Sequence, residues 1–512
     1  MALSSAFLAP ARFTLRNNSS SRCLRRNNPF SVRFLSATVD HDLARSAAGE
    51  PPAQKGSGGN ISSIFDEAGD EVQPRFSELK KALWKDSMRE SWVGVLAALK
   101  DKSKLMESLG SKAIPRIHYD ELQKGLSDGQ IAKIKEAGVV VVCGAVSKEE
   151  ALGWKQFLRD YIAENRDQVV GHPAENPMFY EIYNTKAQIV ARTHPGLVNT
   201  QKALLSFWHA SDPNSEISLV QPISYFDRFR IREPGPAGWS LGPHIDGGGV
   251  ERWEDPGLRS CYARVFEGGD SWKQLDSYDV TPRLIANQDL YDSANQCSIF
   301  RTWQGWTSLS TTRAREGTLR VVPFLKLSTA YILLRPFFKP KPGFEASLEA
   351  DDWEPDLEHG EFHGTSPGRA QTLSAKSHPH LQLDKTVVSV DLVEPGDQVY
   401  WHCDLIHAVE AEHTGAGDSS VLYIPTAPLT IKNAHYLKKQ RAHFEAGLPA
   451  PDFPQGPGES KFSSRFTVAG ISQKDITGRR MFGLAPFEVL PQETVGGARA
   501  IEEANKILAI TA

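Results

Sequence analysis

Two short segments of this 512-residue chain carry side chains able to hold a metal ion. In Leu241-Gly242-Pro243-His244-Ile245-Asp246-Gly247-Gly248-Gly249 a histidine and an aspartate stand two positions apart. On an extended chain such residues project to the same side. His244 and Asp246 can therefore present an imidazole and a carboxylate to one ion, and the glycines let the backbone turn close to it. An isolated His-x-Asp pair occurs often by chance and by itself reads more readily as a turn capped by the aspartate, so a second segment is needed. It is Glu394-Pro395-Gly396-Asp397-Gln398-Val399-Tyr400-Trp401-His402-Cys403-Asp404-Leu405-Ile406-His407, in which a Pro-Gly-Asp turn opens a strand leading to His402 and then His407. Two neutral imidazoles and one carboxylate on one face of an octahedron form the ligand set of mononuclear non-haem Fe(II). The opposite face stays open for a bidentate 2-oxo acid and dioxygen.

Strands must carry these residues, and from about Ser218 strands dominate. They are expected at Leu219–Ile231, Cys297–Ser310, Thr318–Phe324, Ala330–Leu334, Val387–Val393, Gln398–Trp401 and Ser420–Ile424. Gly, Pro and Asp turns separate them, which favours a barrel or double-sheet roll over a doubly wound parallel sheet. Trp303 and Trp306 are expected to line or floor that barrel. Ahead of the strands, apolar residues at helical spacings from Arg75 to Leu109 predict amphipathic helix. A Ser127-capped helix to Ala137, a buried strand Val139–Val142 and a helix beginning at Ser147 follow. Residues 340–380 are rich in Pro, Gly and His and read as an insertion near the barrel mouth; its His359, His363, His378 and His380 are expected in a loop rather than in a zinc site.

The fold class expected is α+β, with a double-stranded β-helix (jelly-roll, cupin-like) core flanked by N-terminal and C-terminal helices. The expected organisation is a targeting segment at 1–39, a linker at 40–60, a helical region at 61–200, the core at 201–430, and at 431–512 a helix around Ala434–Phe444 followed by an irregular tail.

Composition excludes several function classes. The longest strongly apolar stretch, Val139–Val146, is far too short for a bilayer, so no membrane span is expected. Five scattered cysteines without a Cys-x-x-Cys pair argue against a disulfide framework and a thiolate zinc site. The first 39 residues hold six arginines, seven serines and no acidic residue, the composition of a mitochondrial transit peptide; the alternative is a basic tail on a cytoplasmic protein. The rest is thus more acidic than the formal net charge of −4 and has no basic stripe, so nucleic acid is not an expected partner. A small-molecule substrate is expected; the sequence is silent on oligomeric state.

His244-x-Asp246 followed by Gly396-Asp397 and His407 resembles the jelly-roll 2-oxoglutarate oxygenases, particularly the phytanoyl-CoA dioxygenase type. Glu136-Ala137-Gly138 leading into Val139–Val142, and Gly317-Thr318-Leu319-Arg320-Val321-Val322-Pro323, resemble that type's opening and central strands. The stretches RIREPGPAGWSLGPHIDGGGVERW, WQGWTSLSTT, GDQVYWHCDLIHAVE and YIPTAPLTIKNAHYLKKQR are similar to a fungal and bacterial family of unknown function, akin to fungal proteins induced by N-acetylglucosamine. The resemblance covers about residues 120–455. It implies Fe(II) on His244, Asp246 and His407, with 2-oxoglutarate and O2 as co-substrates and hydroxylation, desaturation or cyclisation of a small molecule as outcomes. It also implies that His402 stands beside the site or in the core.

Such enzymes usually carry an arginine roughly ten to fourteen residues beyond the distal histidine, because a guanidinium matches the far carboxylate of 2-oxoglutarate. Here Ala408–Thr430 contains neither Arg nor Lys. Arg320 and Arg230 are the expected substitutes, with Lys326 behind them. The alternative is a cupin-like metalloprotein with another metal and no oxygenase activity: a hydrolase, an isomerase or a binding protein.

Overall fold

The β-branched run Val139–Cys143 forms a buried strand because its side chains pack on both faces. It lies inside the largest sheet of the computed structural model, which describes Phe65 and residues 74–236, 240–454 and 456–510. The expected targeting segment and linker lie outside the described residues.

The strand order in this eight-stranded sheet is Arg116–His118, Val139–Cys143, Gln398–His402, Trp303–Ser308, Ser419–Tyr423, Phe229–Arg232, Phe179–Tyr180 and Gly171–His172. Only the first pair is parallel. A second sheet has five antiparallel strands in the order Gln371–Thr372, His244–Ile245, His407–Val409, Leu319–Val321 and Val388–Ser389. One apolar cluster draws on both sheets, joining Val141, Val399 and Trp306 to Leu319, Val321 and Val388. The protein is thus a mixed helix-and-sheet molecule with several sheets.

The helices are capped as the sequence predicts. Ser127 and Gln130 form a capping box at Asp128–Ala137, and Ser147 accepts from the Glu150 amide at Lys148–Glu164. In Met88–Leu109 the buried residues Met88, Trp92, Val95, Leu96, Leu99 and Met106 make a single stripe, and Trp92 stacks on Tyr331 of a second helix, Leu325–Leu334.

That second helix corrects an expectation. Ala330–Leu334 is helical, not a strand. Every residue of Leu325–Leu334 except Lys326 is buried, so the apolar run shows no period, and only its ten-residue length favours helix. The predicted strand Leu219–Ile231 divides into Ile217–Ile223, paired with Ala427–Thr430, and Phe229–Arg232. The C-terminal region is also more regular than expected. After Ile431–Ala446 come the helices Ile476–Met481 and Val495–Leu508; the Thr494 cap, accepting from the Gly497 amide, starts the latter despite its two glycines.

Within 340–380, Trp353–Pro355 forms a hairpin with Phe338–Pro340, and Gln371–Thr372 is the edge strand beside His244–Ile245. His363, His378 and His380 are largely or fully enclosed, His359 is exposed, and no three metal-binding side chains converge there among the described residues. No described helix is long and apolar enough to cross a membrane.

Candidate metal centre

His244 and His407 are direct partners across two antiparallel strands of the smaller sheet, which places their rings 4.1 Å apart between centroids. Asp246 follows two positions later on the same side as His244. Its Oδ2 lies 3.3 Å from His407 Nε2 and its Oδ1 3.7 Å from His244 Nε2. Gly247 and Gly248, with φ of 73° and 94°, then turn the chain in a region closed to most side chains. The Arg252 guanidinium fastens this turn by donating to the carbonyls of Gly248 at 2.5 Å and of Asp246 and Gly247 at 3.2 Å each.

The imidazoles are set for ligation. His244 Nδ1 donates to the Gly242 carbonyl at 2.7 Å and His407 Nδ1 to the Leu405 carbonyl at 2.9 Å. Each proton thus sits on Nδ1 and each Nε2 lone pair points at the carboxylate side. Burial, reinforced by the neighbouring His407, lowers the His244 pKa to about 4, so this ring is neutral at pH 7. Burial opposes ionisation of Asp246, but the two imidazoles, where they take up protons in acid, and the Arg301 guanidinium outweigh it and hold the carboxyl well below its usual range. Gln304, from the strand Trp303–Ser308, turns its amide nitrogen to Asp246 Oδ2 at 2.7 Å while its carbonyl accepts from Trp401 Nε1 at 3.2 Å. The larger sheet thereby braces the carboxylate from behind. Two neutral nitrogens and one anionic oxygen, all within 4.8 Å of one another, suit a divalent first-row ion.

His402, Cys403 and Asp404 form a second cluster of metal-binding residue types. There the lone pairs are spent. His402 Nε2 donates to the Ser277 carbonyl at 2.9 Å, its Nδ1 accepts from the Asp404 amide at 3.0 Å, and its ring stacks on Trp208. Asp404 binds Arg283 at 2.5 Å and Tyr262 at 2.8 Å.

The triad lines a pocket of about 1050 Å³ walled by both sheets. Arg230 is in that wall, with Nη2 donating to the Gly317 carbonyl and to Ser419 Oγ, each at 3.1 Å, and a buried Nε that has no partner among the described residues. Arg320 is not in it. The register sets Val321 opposite His407 and Arg320 opposite Ala408, so Arg320 projects from the other face and donates to the Val387 carbonyl at 2.8 Å. Lys326 is likewise remote, exposed and bound to the Lys273 carbonyl.

Trp306 lines the pocket, but Trp303 does not: three positions apart on a strand the two fall on opposite faces, and Trp303 Nε1 donates to the Leu204 carbonyl at 3.1 Å. Sequence reasoning missed Gln304, Trp401, Arg301 and Phe65. Alternation from Trp306 could have found Gln304. Phe65, whose ring meets His244 edge-on at 4.9 Å, gives no local signal.

The chain matches the model of the Gig2-like family over residues 70–484. It is 32% identical over 467 residues to the uncharacterized protein YbiU of Escherichia coli K12, covering 88% of this chain and 99% of that protein. Among solved structures, GlcNAc Inducible Gene 2 from Candida albicans is similar at a TM-score of 0.77 and 32% identity, covering 86% of this chain and 96% of that one. A hypothetical protein from Escherichia coli is similar at a TM-score of 0.67 and 31% identity, covering 82% and 99%. With most of its length matched both to the family model and to these relatives, the chain belongs to the Gig2-like family.

Proposed function

We propose that the protein is a jelly-roll Fe(II) and 2-oxoglutarate-dependent oxygenase acting on a small molecule. The reading rests on one observation: two imidazole Nε2 atoms and one carboxylate converge on the wall of a pocket shared by both sheets. His244, Asp246 and His407 would hold the iron. When bound with a 2-oxo acid and dioxygen, the iron supplies the oxidising power to hydroxylate, desaturate or cyclise a substrate at a C–H bond.

The chain's own groups do the positioning. The Gly242 and Leu405 carbonyls keep the two Nδ1 protons in place, so neither imidazole can swing its lone pair away. Gln304 holds one rotamer of the carboxylate. Leu319, Val409 and Val421 make an apolar stretch of the pocket wall.

Arg230 answers the missing arginine. The strand Ser419–Tyr423 occupies the stretch where that arginine is expected, and Arg230 is the direct cross-strand partner of Val421. A guanidinium from the neighbouring strand thus serves the same part of the pocket, and its charge suits the far carboxylate of 2-oxoglutarate.

The test is iron analysis after anaerobic purification, followed by succinate release on addition of 2-oxoglutarate and oxygen. The oxygenase reading expects about one iron per chain and 2-oxoglutarate-dependent succinate. Another metal without succinate favours the cupin-like alternative. From composition alone we also propose that residues 1–39 direct import into the mitochondrial matrix, tested by fusing them to a fluorescent protein; cytosolic fluorescence contradicts it.

A further inference from the structure

Three arginines, Arg228, Arg230 and Arg301, stand in the wall of the metal-site pocket. Arg228 is neutralised by Glu181 and Asp227, each 3.3 Å away. Arg230 is anchored by Gly317 and Ser419. Arg301 differs from both. Among the described residues no acceptor meets its guanidinium, which lies over the Tyr225 ring at 5.2 Å. Burial opposes its charge, yet Cys297, Tyr225, Asp246 and Asp227 together favour the cation. Its guanidinium offers five N–H donors to the pocket, none of them taken by a described acceptor, and an anion entering there would meet a charge-assisted partner.

Its place along the strand separates it from the co-substrate. Arg230 is level with Ser308, because both pair with Val421, so it lies beyond Gln304 on one side. Arg301 precedes the strand and lies on the other side of Gln304, the residue that touches Asp246. At about 3.3 Å per residue these positions flank the metal row from opposite directions. A co-substrate carboxylate held at Arg230 would therefore leave Arg301 on the far side of Gln304. Beside Arg301 stands the Tyr225 ring, and Phe453, Asn295 and Gln296 line the same pocket, a mixture of aromatic and amide groups.

We infer that Arg301 receives a carboxylate of the primary substrate, so that the substrate is a small carboxylic acid with an apolar or aromatic body. This rests on the oxygenase reading for the word substrate, but the anion site itself does not.

The experiment is calorimetric titration of phenylacetate and hexanoate, with phenylethanol and hexanol as neutral controls, into the full chain under anaerobic Fe(II). Wild type, Arg301→Gln and Arg301→Lys are compared, and 2-oxoglutarate is titrated in parallel. The carboxylates are expected to bind wild type, to lose roughly tenfold or more in affinity in Arg301→Gln, and to recover in part in Arg301→Lys. The alcohols are expected to be indifferent, and 2-oxoglutarate binding to be unchanged in Arg301→Gln. Equal carboxylate affinity in wild type and Arg301→Gln, or no carboxylate binding to wild type, overturns the inference. Loss of 2-oxoglutarate binding in Arg301→Gln also overturns it, by assigning Arg301 to the co-substrate. Carboxylate binding through Arg301 in a wild type that takes no 2-oxoglutarate contradicts the oxygenase reading and leaves the anion site standing.

Discussion

Two clusters of histidine and aspartate meet at the end of the strand Gln398–His402, and they are built to opposite ends. In the cluster of His402 and Asp404 every strong donor and acceptor is matched within the protein: Ser277 and the Asp404 amide for the ring, Arg283 and Tyr262 for the carboxylate. In the cluster of His244, Asp246 and His407 the outer nitrogens are matched and the inner ones are left facing an anion across a pocket. The same residue types thus serve as a structural knot in one place and form a candidate coordination site a few residues away. What distinguishes them is where the lone pairs point, and that depends on partners distant in sequence.

The largest effect that could break this contrast is on stability. Asp404→Ala leaves Arg283 buried and uncompensated, so it is expected to cost about 3–5 kcal/mol in denaturant unfolding. Asp246→Ala, removing a carboxylate that faces a pocket, is expected to cost much less. Similar losses in both variants would erase the distinction.

Next comes Arg230→Gln, expected to weaken 2-oxoglutarate binding by about 1.5–3 kcal/mol while iron is retained. Calorimetry on the iron-loaded variant reads this, and unchanged affinity removes Arg230 from the co-substrate site. Gln304→Leu should lower metal affinity or activity by about 10- to 100-fold, because the brace on Asp246 is lost but all three ligands remain. An unaffected metal titration would show that the brace is dispensable.

The smallest effect is one of pH. Burial, with the Arg283 charge adding to it, lowers the His402 pKa to about 4 against an unfolded value near 6.5. The unfolded chain then binds the proton that the folded one refuses. This contribution to stability is complete above about pH 6.5 and is lost as pH falls towards 4. His402→Gln is expected to flatten the acid limb of the stability curve by up to about 1.4 kcal/mol per pH unit. A slope identical to wild type would mean that His402 is not held neutral.

The legible part of the site was the part that is local. His244 and Asp246 share a face because they are two apart on an extended chain, and the Pro-Gly-Asp turn announces the strand before His407; Gly396, at φ 95°, and Asp397, which accepts from the Gly144 amide at 2.8 Å, make that turn. The fold was legible where periods were clean, as in the capped helices and the valine strand. It was not legible in Leu325–Leu334, where burial on all sides removes the period, nor in Val495–Leu508, where two glycines obscure a good cap. Nor could the sequence choose between Arg230 and Arg320. That choice follows from strand register, which sets Arg230 beside Val421 within the pocket and Arg320 on the outer face. Phe65 and Arg301 reach the site through tertiary contact alone.

The measurement that bears most directly on the whole account is Fe(II) stoichiometry after anaerobic reconstitution of wild type, His407→Ala and His402→Ala, with circular dichroism and thermal melts on the same samples. The account expects about one iron per chain in wild type and in His402→Ala, with a lower melting temperature in the latter. His407→Ala should be folded and free of stoichiometric iron. Iron retained by His407→Ala and lost from a folded His402→Ala would contradict it, and would move the metal to the cluster of His402, Cys403 and Asp404.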